Sequence, residues 1–303
     1  MIAGFNLQNA AYRPTWVLKR KNWAYNLAII KPRGKHQFMT LRVVVKGGGD
    51  LGTGVAWRLH RCGFNVLITD VVQPTAIRRT VAFASAVFDG QVTIEGEVGR
   101  LIEHSDQAQD CWASRQVAVI VDPQGCAVHE MKPDVVIDAI LAKKNLGTRL
   151  EDARAVVALG PGFTVGVDCH AVVETNRGHN LGRVIWQGSA EPNTGIPGTI
   201  SGENARRILL SPVSGIFHEA RHIGDLVKAG EVIATIGDEP VISRLDGVLR
   251  GLLHDGLFVQ AGTKVGDVDP RGVVSHCYTI SDKSLAIAGG ALEAVLRLTS
   301  ACA

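Results

Sequence analysis

Long apolar runs are missing from this 303-residue sequence, and none approaches the ~20 residues that span a bilayer. No apolar h-region precedes a small-residue cleavage site, so neither a membrane anchor nor a secretory leader is expected. The six cysteines, Cys62, Cys111, Cys126, Cys169, Cys277 and Cys302, include no CxxC pair and no zinc spacing. Scattered thiols of this kind read as reduced and cytoplasmic, and no metal site is expected. Acidic residues are absent from positions 1–38, which carry Arg13, Lys19, Arg20, Lys21, Lys31, Arg33 and Lys35. The net charge of +3 therefore comes from this tail, because the remaining positions hold 25 basic and 29 acidic residues. A mildly acidic body gives no charge argument for nucleic acid. With Tyr12, Trp16, Trp23 and Tyr25, the tail has the makeup to contact RNA, a membrane surface or a partner. We read it as an extension ahead of the folded body, since Met39 lies just before the first apolar run.

At 46% apolar and 20% charged, the chain is long enough for two domains with cores of their own. It is organised around Leu41 to Asp70, LRVVVKGGGDLGTGVAWRLHRCGFNVLITD. An apolar β-branched run, three glycines, a helical pattern and a second apolar run read as strand, tight turn, helix and strand. Gly47, Gly49 and Gly52 satisfy G-x-G-x-x-G, with Gly48 and Thr53 completing the turn. A helix start of this kind offers N–H groups and a positive dipole end to a diphosphate. Asp70 ends the second strand, about 20 residues on, where an acid accepts from a ribose hydroxyl. Asp50 opposes that reading, since its carboxylate either caps the helix or repels a phosphate.

Pro74 is placed to open a helix through Ala84, and Arg78 and Arg79 on it would form an anion clamp at the strand ends. A solvated helix face is the alternative. Short strands are expected between Val87 and Ile102, and a helix over 106–115. Gln116 to Val121, Val135 to Ala139 and Ala155 to Leu159 read as buried strands of a mostly parallel sheet. Asp122, Asp138, Gly160 and Gly162 fall at their ends and should line the same crevice as the glycine turn. The Gly- and Pro-rich segment 160–198 holds Asp168, Cys169, His170, Glu174, Arg177 and His179. Cys169 beside His170 is a candidate nucleophile pair if an imidazolium lowers the thiol pKa. A buried strand cysteine is the plain alternative, because neighbours on a strand point to opposite faces. Arg177 and His179 sit in a loop suited to an anion.

Residues 211–269 contain a 32-residue repeat: Val213-Ser214-Gly215-Ile216 matches Leu245-Asp246-Gly247-Val248, and Val227-Lys228-Ala229-Gly230 matches Val259-Gln260-Ala261-Gly262. The rhythm resembles the barrel-sandwich fold of biotinyl and lipoyl carriers. The turn Gly237 to Arg244 has no lysine, so covalent biotin or lipoate is not expected. Ser281 or Asp282 caps a final helix whose face at 286–291 is very small, suited to packing back on the sheet.

The expected fold is α/β, a Rossmann-like mostly parallel sheet with a small all-β barrel-sandwich module and a C-terminal helix. Expected boundaries are a basic extension over 1–38, a nucleotide-binding domain over 39–205, the module over 206–272 and the helical region over 273–303.

Four separated stretches make a family resemblance specific: KGGGDLGTGVAWRLHRCGF, QPTAIRRTVAFASAVFDG, ALGPGFTVGVDCHAVVETNRGHNLGRVIWQG and ISDKSLAIAGGALEAVL. Together they resemble the YqeB family, accessory proteins of selenium-dependent molybdenum hydroxylase systems. The resemblance covers Arg42 to Leu298 and implies a role in maturing such an enzyme, without implying a reaction. Three functions follow. One is a maturation factor that binds NAD(P) or a molybdopterin dinucleotide and delivers a chalcogen through Cys169. Another is an NAD-dependent oxidoreductase, against which no Tyr-x-x-x-Lys pair is found. The third is a scaffold whose β module docks the client enzyme. Expected partners are the client hydroxylase and a nucleotide or pterin, with homo-oligomerisation left open and neither nucleic acid nor membrane expected.

Overall fold

Valine and isoleucine dominate the strands of the first half, and buried β-branched runs of this kind make the interior of a sheet covered on both faces. The computed structural model describes residues 41–193 and 202–300, and the extension over 1–38 lies outside them. The described residues belong to one compact unit. Its first half runs β1 (Arg42–Lys46), α1 (Asp50–Arg61), β2 (Asn65–Asp70), α2 (Ala86–Asp89), β3 (Gln91–Ile94), β4 (Glu97–Ile102), α3 (Ala108–Ala113), β5 (Val117–Val121), α4 (Cys126–Met131), β6 (Val135–Asp138), β7 (Ala155–Leu159), β8 (Ala171–Val173) and β9 (Val184–Ile185). These strands form a nine-stranded sheet in the order β3-β4-β5-β2-β1-β6-β7-β8-β9. Every pairing from β4 to β8 is parallel, and only the edge pairs β3-β4 and β8-β9 are antiparallel.

Alternation along each strand divides the core. Val43 and Val45 face the layer of α1, while Val44 faces the layer of α3 and α4. The antiparallel module follows with β10 (Ile208–Leu210), β11 (Gly215–Glu219), β12 (Leu226–Val227), β13 (Val232–Ile236), β14 (Glu239–Ile242), β15 (Gly247–Leu252), β16 (Phe258–Val259) and β17 (Lys264–Asp269). They make two four-stranded sheets around a core that includes Phe217, Ile233, Ile236 and Leu249. Strand starts at 215, 226 and 232 recur at 247, 258 and 264, so the sequence repeat is a repeat of structure. The halves interlock, because β11 pairs with β16 and β12 with β15. The fold is thus mixed α/β, with one large, mostly parallel sheet and two antiparallel ones.

The last element, α5 (Asp282–Ser300), begins at Ser281, whose hydroxyl accepts from the Ser284 amide at 3.1 Å. Its small face lets it lie close to α1: a Cβ on Gly54 would come within 2.1 Å of the Ser284 hydroxyl. Gly290 is likewise filled by the Gly182 carbonyl, at 2.1 Å from the place of a Cβ. One expected helix is absent. Pro74 to Ala84 forms no α-helix, only 3₁₀ turns at Arg79–Val81 and Phe83–Ser85. Burial explains the difference. Arg78, Val81, Phe83 and Ala84 are each less than a tenth exposed, and the segment is held between sheet and module by bonds such as Leu252 N–H to Ile77 O at 2.7 Å.

Candidate functional site

Parallel strands carry their loops to one edge, and the loops after β1, β2, β5 and β6 meet there around a cleft of about 510 Å³. Gly47 and Gly49 form part of its wall, with Asp70 from the end of β2. Gly47 needs its left-handed conformation, φ 95°, and has the Ala139 carbonyl 2.9 Å from the place of a Cβ. Gly49, directly before α1, is different: a Cβ there would meet nothing within 4 Å, and its φ of −70° suits any residue. The open space beside it is where the first N–H groups of α1 lack helical acceptors. Asp70 accepts from the Gly48 amide at 2.7 Å and the Val71 amide at 2.8 Å. Burial pushes its carboxyl above the usual range, an effect those two amides partly offset.

Residues that the glycine motif does not include complete the cleft. Lys46 donates to the Thr148 hydroxyl at 2.8 Å and lies 3.5 Å from Asp152. Thr148 in turn donates to the buried Asp138 at 2.6 Å, and burial raises that carboxyl too. Asp138 thus anchors the lysine wall from behind instead of facing the cleft. Val71, Ile140, Leu141 and Leu146 give the cleft an apolar rim, each 37–53% exposed. Leu141 and Lys143 adopt φ of 61° and 64°, a conformation that costs a non-glycine residue energy. Asn145 secures the loop by accepting from the Gly147 and Thr148 amides and donating to Asp168. Apolar surface around a few fixed polar groups suits a flat, partly polar small molecule. Among the described residues, the lining holds no histidine, cysteine, serine or tyrosine, and its polar side chains include Lys46, Asp70 and Asp122.

With this geometry in place, the chain can be set beside known proteins. No protein-family model matches it. Over 282 residues, 93% of the chain, it is 49% identical to the uncharacterized protein YqeB of Escherichia coli (strain K12). The chain is thus similar to YqeB over most of its own length. The chain covers 52% of that relative, about half its length. Among solved structures, a succinylglutamate desuccinylase/aspartoacylase from Rhodobacter sphaeroides aligns over 76% of this chain and 85% of its own, at 16% identity and a TM-score of 0.24. TcdA (CsdL) aligns over 88% and 89%, at 13% identity and a TM-score of 0.32. Both scores are too low to carry an argument about the site.

Several residues expected in the crevice have other tasks. Thr53 is fully buried, donating to the Gly48 carbonyl and accepting from the Phe83 amide at 2.8 Å each. Gly48 and Gly52 are packing glycines, with backbone at 2.9 Å and 2.0 Å from the place of a Cβ. Asp50 neither caps α1 nor faces the cleft; it pairs with Arg78 at 3.1 Å. Arg78 also donates to the His276 and Thr279 carbonyls at 2.9 Å, and Arg79 binds Glu219 of β11. The expected anion clamp is therefore a tie between the sheet and the module. Gly160 and Gly162 pack against Thr175 and the Lys144 backbone, Arg177 pairs with Asp282, and His179 is exposed in its loop.

Cys169 and His170 correct the sequence reading most sharply. The Cys169 side chain is fully buried, and burial pushes its thiol up to about 12. His170 Nδ1 accepts from the Val156 amide at 3.0 Å, and burial lowers its pKa, so no imidazolium stands ready to activate the thiol. Cys169, just ahead of β8, turns into the core shared with α3 and α4, while His170 turns to the Val156 amide. Iodoacetamide is expected to label the exposed Cys62 and Cys126 in the native protein and to reach Cys169 only after unfolding. Native labelling of Cys169 at the rate of Cys62 would contradict this placement.

Proposed function

We propose that this chain is an accessory factor in maturing a molybdenum hydroxylase. Its part is to hold a nucleotide- or pterin-bearing molecule, such as NAD(P) or a molybdopterin dinucleotide, noncovalently in the cleft. The carrying observation is the open space beside Gly49 at the start of α1, bounded by Asp70 and an apolar rim. A diphosphate placed there receives the N–H groups of the first turn, a ribose hydroxyl finds Asp70, and a flat ring covers Leu141 and Leu146. Chalcogen delivery through Cys169 is dropped, because the thiol is buried and protonated. The mostly parallel sheet, with its glycine turn before α1, fits a Rossmann-type site, and the interlocked β repeat, with no lysine in its Gly237–Asp238 turn, fits a barrel-sandwich module used to dock the client.

The variant Gly49→Val tests this reading. A side chain at this position projects into open space, so stability should fall by no more than about 1 kcal/mol, the scale of an N-cap change. In calorimetric titrations with NAD and with ADP, the valine should weaken binding at least about tenfold by filling the ligand's place. Equal affinity in wild type and variant would overturn the cleft as the site.

A further inference from the structure

The cleft opens where the order of strands reverses: β1 has β2 and β5 on one side and β6 on the other. Lys46, the last residue of β1, stands at that reversal and is part of the cleft wall. Its side chain falls on the same face of the sheet as Val44, the face covered by α3 and α4. The Lys46 stem passes 3.6 Å from the place of a Cβ on Gly125, in the loop after β5 that also lines the cleft. At its far end the ammonium reaches the loop after β6, donating to the Thr148 hydroxyl at 2.8 Å and lying 3.5 Å from Asp152. One side chain thus joins the two loops that face each other across the cleft.

The ammonium has more to offer than these contacts use. A lysine carries three donors; Thr148 and Asp152 take two, and the third has no partner among the described residues. The side chain is 12% exposed, so this charge is held partly desolvated at the place where a ligand would sit. Among the described residues lining the cleft, Lys46 is the one cation, against the carboxylates of Asp70 and Asp122. Both carboxylates are already engaged, Asp70 by the Gly48 and Val71 amides and Asp122 by the Cys126 and Ala127 amides at 3.0 and 2.8 Å. The arginines that follow β2 are committed elsewhere, Arg78 to Asp50 and Arg79 to Glu219. A negatively charged ligand in this cleft has Lys46 as the side chain to meet it.

We propose that Lys46 recognises the charge of the molecule held in the cleft by donating to a phosphoryl oxygen, so that the cleft selects phosphorylated nucleotides or pterins over the uncharged nucleoside or ring. This role presupposes the ligand site proposed above and adds the group that selects among its ligands. Thr148, itself bonded to the buried Asp138 at 2.6 Å, fixes the ammonium before a ligand arrives, and little side-chain freedom is then lost on binding. A lysine acts on phosphate as a point charge, so it serves any of these molecules without reading the remainder.

ADP and adenosine, titrated separately into the full chain by calorimetry, test this. Wild type should hold ADP at least about tenfold more tightly than adenosine, the scale of one hydrogen bond to a charged group. Lys46→Met, and Lys46→Gln, which keeps a donor for Thr148, should each lower that preference at least about fivefold. Damage to the fold would weaken both ligands alike and leave their ratio standing, so the ratio reports the charge. Raising the salt concentration should weaken ADP binding to wild type and have a smaller effect on either variant. Lys228→Met, removing an exposed lysine of the module, should leave both affinities unchanged. Equal binding of ADP and adenosine by wild type, or a preference for ADP kept in both Lys46 variants, would overturn the role of Lys46; the cleft would remain the site if Gly49→Val still weakened ADP. Binding of neither ligand to wild type would overturn both.

Discussion

Gly52→Ala is expected to cost about 3 kcal/mol of stability, the upper end of what overpacking exacts. A methyl group at this position would sit 2.0 Å from the Gly47 carbonyl oxygen, and that oxygen has nowhere to go. The Gly47 amide is bonded to the Thr69 carbonyl at 2.8 Å, and its Cα lies against Ala139 and Ile140. Moving α1 outward instead would break its close crossing with α5 at Gly54 and Ser284. Urea unfolding followed by far-ultraviolet circular dichroism measures the loss. A change below 0.5 kcal/mol, the scale of an ordinary surface substitution, would mean the turn is looser than described. Set beside Gly49→Val, the prediction separates two glycines three positions apart: one holds the fold together and the other leaves room for a ligand.

The second large effect is expected at Arg78. Its guanidinium is 6% exposed and meets Asp50 together with the carbonyls of His276 and Thr279, which lie about 200 residues later. Arg78→Met keeps the apolar stem, leaves the Thr279 carbonyl and the Asp50 carboxylate without their donor, and leaves the His276 carbonyl with only Arg250 Nε at 3.4 Å. Breaking a buried pair costs about 3–5 kcal/mol, and the 30% exposure of Asp50 places this case near the lower figure. Adding Asp50→Asn should recover part of the loss, with a coupling of about 1 kcal/mol in a double-mutant cycle. Strict additivity of the two substitutions would show that the pair carries no stability. Because the arginine also ties the module to the sheet, the single variant should be cut faster by protease near residues 70–80, where chain becomes exposed once the tie is released.

The strands were legible because Val43 to Val45, Val117 to Val121 and Ala155 to Leu159 are apolar without interruption, a pattern few other environments tolerate. The module was legible through its repeat, and α5 through Ser281. What the residues did not reveal were contacts made across long sequence separations. Nothing near Arg78 indicates that carbonyls at 276 and 279 will surround it, so a buried tie read as an anion clamp on a helix. Cys169 has the right neighbour in His170, yet its place in the core beneath α3 and α4 removes it from solvent. On the cleft side, the glycine turn stands out in the sequence, while the facing wall from Ile140 to Thr148 does not. Its left-handed positions fall on Leu141 and Lys143, where no glycine signals them.

The central claim is that the cleft beside Gly49 holds a nucleotide- or pterin-bearing molecule. Native mass spectrometry of the full chain, purified without denaturant, tests it most directly, with the Gly49→Val variant prepared in parallel. The account predicts a mass increment on the wild-type chain that fragments to a nucleotide or pterin and is absent from the valine variant. An increment present on both proteins in equal amount would contradict it, as would a wild-type chain that carries nothing and takes up neither NAD nor ADP.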